Sequence, residues 1–310
     1  MFIKSFHKQL IVLFVTASLF YSCEETINPD LEDADPKLVV DAWLNNKVED
    51  QVVKLSWTQP YLENTLPTGV SGATVVVTYD GGEVIFTEDA NAAGTYRWTP
   101  TDVTSADVFG TIGRNYKLTV QVGAETFEAT SRINRTVAID SITFEFEESD
   151  PQYPDNSYTA EFWATDPVGK GDTYWIRSYK NGVALLKPSE INVAYDAGFT
   201  AGGNFDGVTF LPPLRSVNPD EEDENDEPLS PYEPGDSVYV EIHSITLEAY
   251  NFLNQVIIQT DRPGGFAELF STPLANVSTN ITNLDPNGTK AVGFFNVSAV
   301  SGMGKKLELE

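Results

Sequence analysis

The chain has 310 residues, 41% of them hydrophobic and 12% aromatic, which is material for sizeable cores and excludes wholesale disorder. Its 46 acidic residues against 19 basic ones give a formal net charge of -27, which opposes binding to nucleic acid or to an anionic membrane surface. A single cysteine excludes a disulfide within the chain.

At the N-terminus Lys4 and Lys8 precede an apolar stretch over residues 10–20, followed by Ser22 and Cys23. This resembles a bacterial lipoprotein signal peptide, with cleavage between Ser22 and Cys23 and lipid, palmitate included, on Cys23. Phe20 and Tyr21 stand where the commonest form of that signal has leucine and a small residue. The stretch is shorter than the roughly 20 apolar residues of a membrane-spanning helix. The pattern implies a lipid-anchored protein of the outer membrane. Cleavage would remove two lysines and no acid, taking the charge from -27 to -29. Residues 23–35 are polar and acidic without apolar periodicity, as in a tether. Acidic residues directly after the cysteine also resemble a signal for export to the cell surface.

From residue 36 short alternating or β-branched segments follow one another between turn signals. Strands are predicted at residues 37–44, 51–57, 73–79, 83–87, 95–98, 116–122 and 125–130. Asp80-Gly81-Gly82 and Gly123-Ala124 supply hairpin turns. This pattern over residues 36–136 predicts an immunoglobulin-like β-sandwich. A second β-rich domain is expected over residues 137–310, where residues 139–147 alternate with Ile142, Phe144 and Phe146 on one face. Residues 188–235 read as a long acidic loop, a length that marks functional or mobile segments. One amphipathic helix is predicted over residues 246–260, with Thr246 as its cap and Leu247, Tyr250, Leu253 and Ile257 at helical spacing. Residues 292–300 and 305–310 read as the closing strands of this second domain.

Several segments carry a family likeness: Pro36-Lys37-Leu38-Val39-Val40, Ile139-Asp140-Ser141-Ile142, Phe205-Asp206-Gly207, Pro234-Gly235-Asp236-Ser237-Val238, Ala249-Tyr250-Asn251-Phe252-Leu253 and Phe270-Ser271-Thr272-Pro273. In this order, behind the lipoprotein signal, they resemble a Bacteroidetes lipoprotein family catalogued as domain of unknown function 4249. The resemblance implies an outer-membrane lipoprotein commonly encoded near TonB-dependent receptors, with no established activity, and it transfers no catalytic residues.

With His7 in the signal, His243 is the one histidine of the mature chain, so a multi-histidine zinc site is excluded and no Cys-His dyad remains beside an acylated Cys23. No Gly-x-Ser-x-Gly elbow, Walker loop or dinucleotide fingerprint is present. The acidic run at residues 220–227 lacks the alternating ligands and central glycine of a calcium loop and reads as a solvated, self-repelling loop. Trp43, Trp57, Trp98, Trp163 and Trp175 lie in or at the ends of predicted strands, where core packing competes with stacking on a sugar. The expectation is a non-catalytic binding accessory without cofactor or metal, assisting a TonB-dependent receptor in nutrient uptake with a carbohydrate or other small ligand. Two alternatives stand beside it: a structural or adhesion module of the envelope, and a glycoside hydrolase using paired carboxylates.

Overall fold

The computed structural model describes residues 34–60, 63, 65–149 and 151–309. The predicted signal, Ser22, Cys23 and most of the acidic tether lie outside them. Residues 36–310 form one compact unit.

The first part is the predicted sandwich. Its seven strands are β1 (Leu38–Asn45), β2 (Gln51–Trp57), β3 (Thr74–Tyr79), β4 (Gly82–Glu88), β5 (Thr95–Trp98), β6 (Asn115–Val122) and β7 (Glu125–Arg132). Alternation sets their faces: in β1, Leu38, Val40, Ala42 and Leu44 are buried and Asp41 lies on the opposite side. One side of the sandwich pairs β1, β2 and β5, and the other pairs β3, β6 and β7. Strand β4 runs along β3 for most of its length, then passes to β5 through Thr87↔Arg97 and Glu88↔Tyr96. A strand that changes sheets in this way curls a single ribbon into two layers. The hairpin turns fall at the predicted glycines, with Gly81 and Gly123 at positive φ.

The C-terminal region departs from the sequence reading. Residues 292–300 are expected within a second domain, yet β15 (Val292–Ser298) joins the first sheet, parallel to β1, from Val39↔Val292 to Asn45↔Ser298. The two-residue strand β14 (Thr282–Asn283) likewise adds to β7, giving a nine-stranded sheet. The pairing with β1 requires glycine at 293: its φ is +94°, and a Cβ there would lie 2.0 Å from the Val40 carbonyl oxygen. Asn280 then bridges the two free edges, donating from Nδ2 to the carbonyls of Thr130 and Phe295 and accepting from the Phe295 amide. These contacts cover backbone groups that an open edge would expose.

The second part has two layers. Strands β8 (Ser141–Glu147) and β9 (Ser157–Trp163) form one hairpin. Facing it is a sheet of β10 (Thr173–Lys180), β11 (Val183–Ala184), β12 (Asn192–Tyr195), β13 (Ser237–Ser244) and β16 (Val300–Lys306). The closing edge strand predicted at 305–310 thus begins earlier, at Val300. Between the layers lie Phe162, Phe210, Tyr174, Ile176, Tyr232, Val240 and Ile242. The expected long loop at residues 188–235 is ordered differently from a free loop. It contributes β12, a helical turn at Pro212–Arg215, and single bridges to β9 and its flank at Tyr158↔Tyr232, Glu161↔Ser216 and Thr165↔Thr209.

Helix α1 (Leu247–Thr260) forms as predicted, and the Thr246 hydroxyl accepts from the Ala249 amide. Its buried face is Ala249, Tyr250 and Leu253, while the expected Leu247 is 48% exposed. That face packs on β10, β12 and β15, and Leu247 lies off it. The helix does more than cover the second sheet. It is wedged against both parts, with Phe252 and Phe294 around Trp43 of β1 and with Val193, Tyr195 and Trp175 of the second sheet.

The core changes between Ile133 and Val137, but the strand exchange and this shared aromatic cluster make the two parts one unit. The connector between them is also pinned to β13 and its end. Asn134 Nδ2 donates to the Ile245 carbonyl at 2.9 Å and Thr136 Oγ1 to that of Ile242 at 2.8 Å.

Candidate functional site

Three arrangements hold the chemistry-bearing side chains. The first surrounds His243. Strand alternation in β13 places Val238, Val240 and Ile242 in the core and turns Tyr239, Glu241 and His243 to the other face. That face meets the β1–β2 turn, so Glu241 is 1% exposed and His243 4%. Lys47 Nζ reaches Glu241 Oε1 at 2.5 Å, Tyr179 OH donates to Oε2 at 3.0 Å, and His243 Nε2 lies 2.9 Å from Oε2. Burial alone would raise the Glu241 pKa. The hydrogen bonds from His243 and Lys47, with the Lys47 charge, outweigh it and pull the carboxyl down to about 2. Burial lowers the His243 pKa, aided by Arg177 and Lys47 and opposed by Glu241. The neutral ring therefore donates from Nε2–H to an ionised Glu241. Its other neighbour is the Trp175 ring, at 6.1 Å between centroids. This buried polar network joins the two parts of the molecule.

The second arrangement is an acidic cluster that sequence reading missed. Single carboxylate oxygens of Asp166, Asp172 and Asp196 all lie within 4.8 Å of one another, the one such group among the described residues. The β10–β12 register creates it: Thr173↔Tyr195 brings the neighbours Asp172 and Asp196 side by side. Burial raises the Asp166 pKa, against hydrogen bonds from Tyr174 OH at 2.8 Å and the Gly207 amide at 3.1 Å. Asp196 Oδ1 accepts from the amides of Gly171 and Asp172. Oxygen ligands of this kind suit a hard divalent cation. Here Arg135 supplies the positive charge. Its Nε donates to both oxygens of Asp172, and its Nη2 donates to Asp172 and to the carbonyls of Pro167, Val168 and Gly169. Arg135→Met should lower stability by about 1–2 kcal/mol in urea denaturation, less than a fully buried pair because the guanidinium is 39% exposed. An unchanged midpoint would mean that the three carboxylates are balanced by other groups. The signal available in the sequence was the pair Asp166 and Asp172 flanking two glycines, with no local mark pointing to Asp196.

The acidic run considered for calcium folds on itself instead. Asp223 Oδ1 accepts from the amides of Asn225 and Glu227, the Asp223 amide donates to the Glu227 carbonyl, and Lys180 pairs with Glu221 at 2.8 Å.

The third arrangement is a cleft of about 650 Å³ in the second part. Most of its wall comes from the segment that the sequence marked as a long loop. Asn192, Leu214, Ser216 and Asn218 are joined by Ser178 of β10 and by Asn254 and Ile257 of α1. Asn192 Nδ2 donates to the Leu214 carbonyl at 2.8 Å, and Asn218 Oδ1 accepts from the Ala160 amide at 2.7 Å, which fixes the floor. One lip is tied shut: Glu190 accepts from the amides of Lys187 and Asp220, and Ser189 Oγ donates to Asp220 Oδ2 at 2.6 Å. At the other, Tyr250 OH donates to the Phe199 carbonyl, and Phe199 is 44% exposed.

None of the five tryptophans lines this cleft. Trp43 stacks on Phe294 and meets Trp175 edge-on, Trp98 packs on Phe109, and Arg215 covers Trp163 at 3.9 Å. Trp57 borders a separate hollow of about 630 Å³ beside Pro36 and Gln59. No helix among the described residues is long and apolar enough to cross a membrane.

Fold and site together define a mainly β protein, a curled sandwich joined to a second β-rich part that carries a ligand-sized cleft. The chain belongs to the family described as domain of unknown function (DUF4249), whose model matches residues 24–302. No curated protein matches it.

Proposed function

We propose that the chain is a non-catalytic binding protein, held at the outer membrane by lipid on Cys23, whose ligand sits in the cleft between β10, α1 and residues 188–220. The observation that carries this reading is the cleft itself: its volume lies within the range of small-molecule sites, and its wall mixes fixed amide groups with apolar side chains. The lipoprotein-like N-terminus supports the anchor, and the encoding of such lipoproteins near TonB-dependent receptors supports a receptor of that kind as the partner in uptake.

The anchor is tested by Cys23→Ala. Release of this variant from membranes as soluble protein is expected, and its retention would overturn the anchor. Copurification from detergent-solubilised envelopes tests the partner, where recovery of no receptor would count against the uptake role. A second reading, an envelope or adhesion module, draws on the exposed Phe266, Leu269 and Phe270 that follow α1. It predicts altered adhesion with unchanged nutrient growth upon deletion.

A further inference from the structure

We infer that the ligand of the cleft is a neutral oligosaccharide, a statement that rests on the cleft being the binding site. Charge removes the ionic classes first. The cleft wall holds no lysine or arginine, and two carboxylates, Glu190 and Asp220, stand at its lip within a chain of net charge -27. Lys187 lies behind that lip with its Nζ spent on the Asp220 carbonyl, so an anionic ligand would meet the two carboxylates with no cation among the lining residues. A cation would find those carboxylates already engaged, Glu190 by two backbone amides and Asp220 by Ser189.

The remaining polar groups are neutral and two-sided. Asn192 and Asn254 each use Nδ2 in one internal bond, which leaves Oδ1 and the second amide hydrogen for a ligand, while Asn218 is engaged at both ends and shapes the floor; Ser178 and Ser216 add hydroxyls. Planar amides match pairs of neighbouring hydroxyls, where one group donates and the next accepts. Their positions are preset: Asn192 is held by the Leu214 carbonyl, Asn218 by the Ala160 amide and Ser216, and Asn254 by the Tyr250 carbonyl. Preset groups lose little freedom upon binding. Phe199, exposed at the lip, and Ile257 on the helix side offer apolar surface to the C–H face of a sugar ring. Tyr250 anchors the Phe199 backbone, so its ring is presented from a fixed point.

The test uses the detergent-solubilised full chain in titration calorimetry. The probes are hexamers of neutral glucan, mannan and xylan, a hexagalacturonate and a pool of uncharged octapeptides. Saturable binding of at least one neutral hexamer is expected, with the hexagalacturonate about tenfold weaker or more. Phe199→Ala and Ser178→Ala, checked for native circular dichroism, should each weaken the neutral hexamer about tenfold. Binding of the hexamer that both variants leave unchanged would place the sugar elsewhere and overturn the cleft as its site. Peptide binding that Phe199→Ala abolishes would keep the cleft and overturn the ligand class. Failure of every neutral hexamer to bind would also overturn the ligand class.

Discussion

Replacing Glu241 by alanine is expected to destabilise the protein by about 3–5 kcal/mol, because Lys47, Tyr179 and His243 all lose their common acceptor in a buried site. Chemical denaturation of Glu241→Ala measures this directly. The double variant Lys47→Met/Glu241→Met should recover much of the loss, since removing both charges leaves none stranded. The same network sets the response to acid. Glu241 titrates near 4.5 when unfolded and near 2 when folded, so its contribution is complete above about 4.5 and disappears as pH falls toward 2. That depression corresponds to roughly 3 kcal/mol. His243 has a folded pKa below its unfolded 6.5, so its contribution also disappears as pH falls, beginning near 6.5. Stability should therefore decline in two stages, first below about 6.5 and more steeply below about 4.5. In Glu241→Ala the second stage should shrink, and an unaltered acid limb would contradict the assignment.

Trp43→Ala should cost about 2–3 kcal/mol, below the full range for a large core ring because Trp43 is only half-buried. Its indole meets Trp175 at 5.0 Å, Phe294 at 5.8 Å and Phe252 at 6.1 Å, and so joins β1, the second sheet, β15 and α1. The consequence extends beyond the energy. Each part has its own core, and the aromatic cluster is where they meet. Differential scanning calorimetry should give one transition for the native chain and two for Trp43→Ala. A single transition with a loss below about 1 kcal/mol would mean that the strand exchange alone holds the parts together.

Local rules made most elements legible. Alternation marked β1 to β7, the glycines at 81 and 123 marked their hairpins, and Thr246 marked the start of α1. Long-range pairing was not legible. The residues of β15 read as a strand, and its nearly continuous burial suits a parallel partner, but nothing local names β1, some 250 residues earlier. Residues 188–235 gave no periodic signal because single bridges to distant residues, rather than regular ladders, order much of the segment. The same limit hid the cleft, whose walls meet only once those bridges form. His243 showed a related effect. Its alternation placed it opposite the core of the second sheet, and only the approach of the β1–β2 turn made that opposite face a buried one.

The central claim is that the protein binds its ligand and releases it unchanged. The most direct test is to hold the tightest-binding neutral hexamer with the full chain through prolonged incubation, then separate the sugars by chromatography. Quantitative recovery of intact hexamer is expected. Shortened products that disappear in a Glu190→Gln or Asp220→Asn variant would contradict the claim and favour a carboxylate hydrolase at the same cleft.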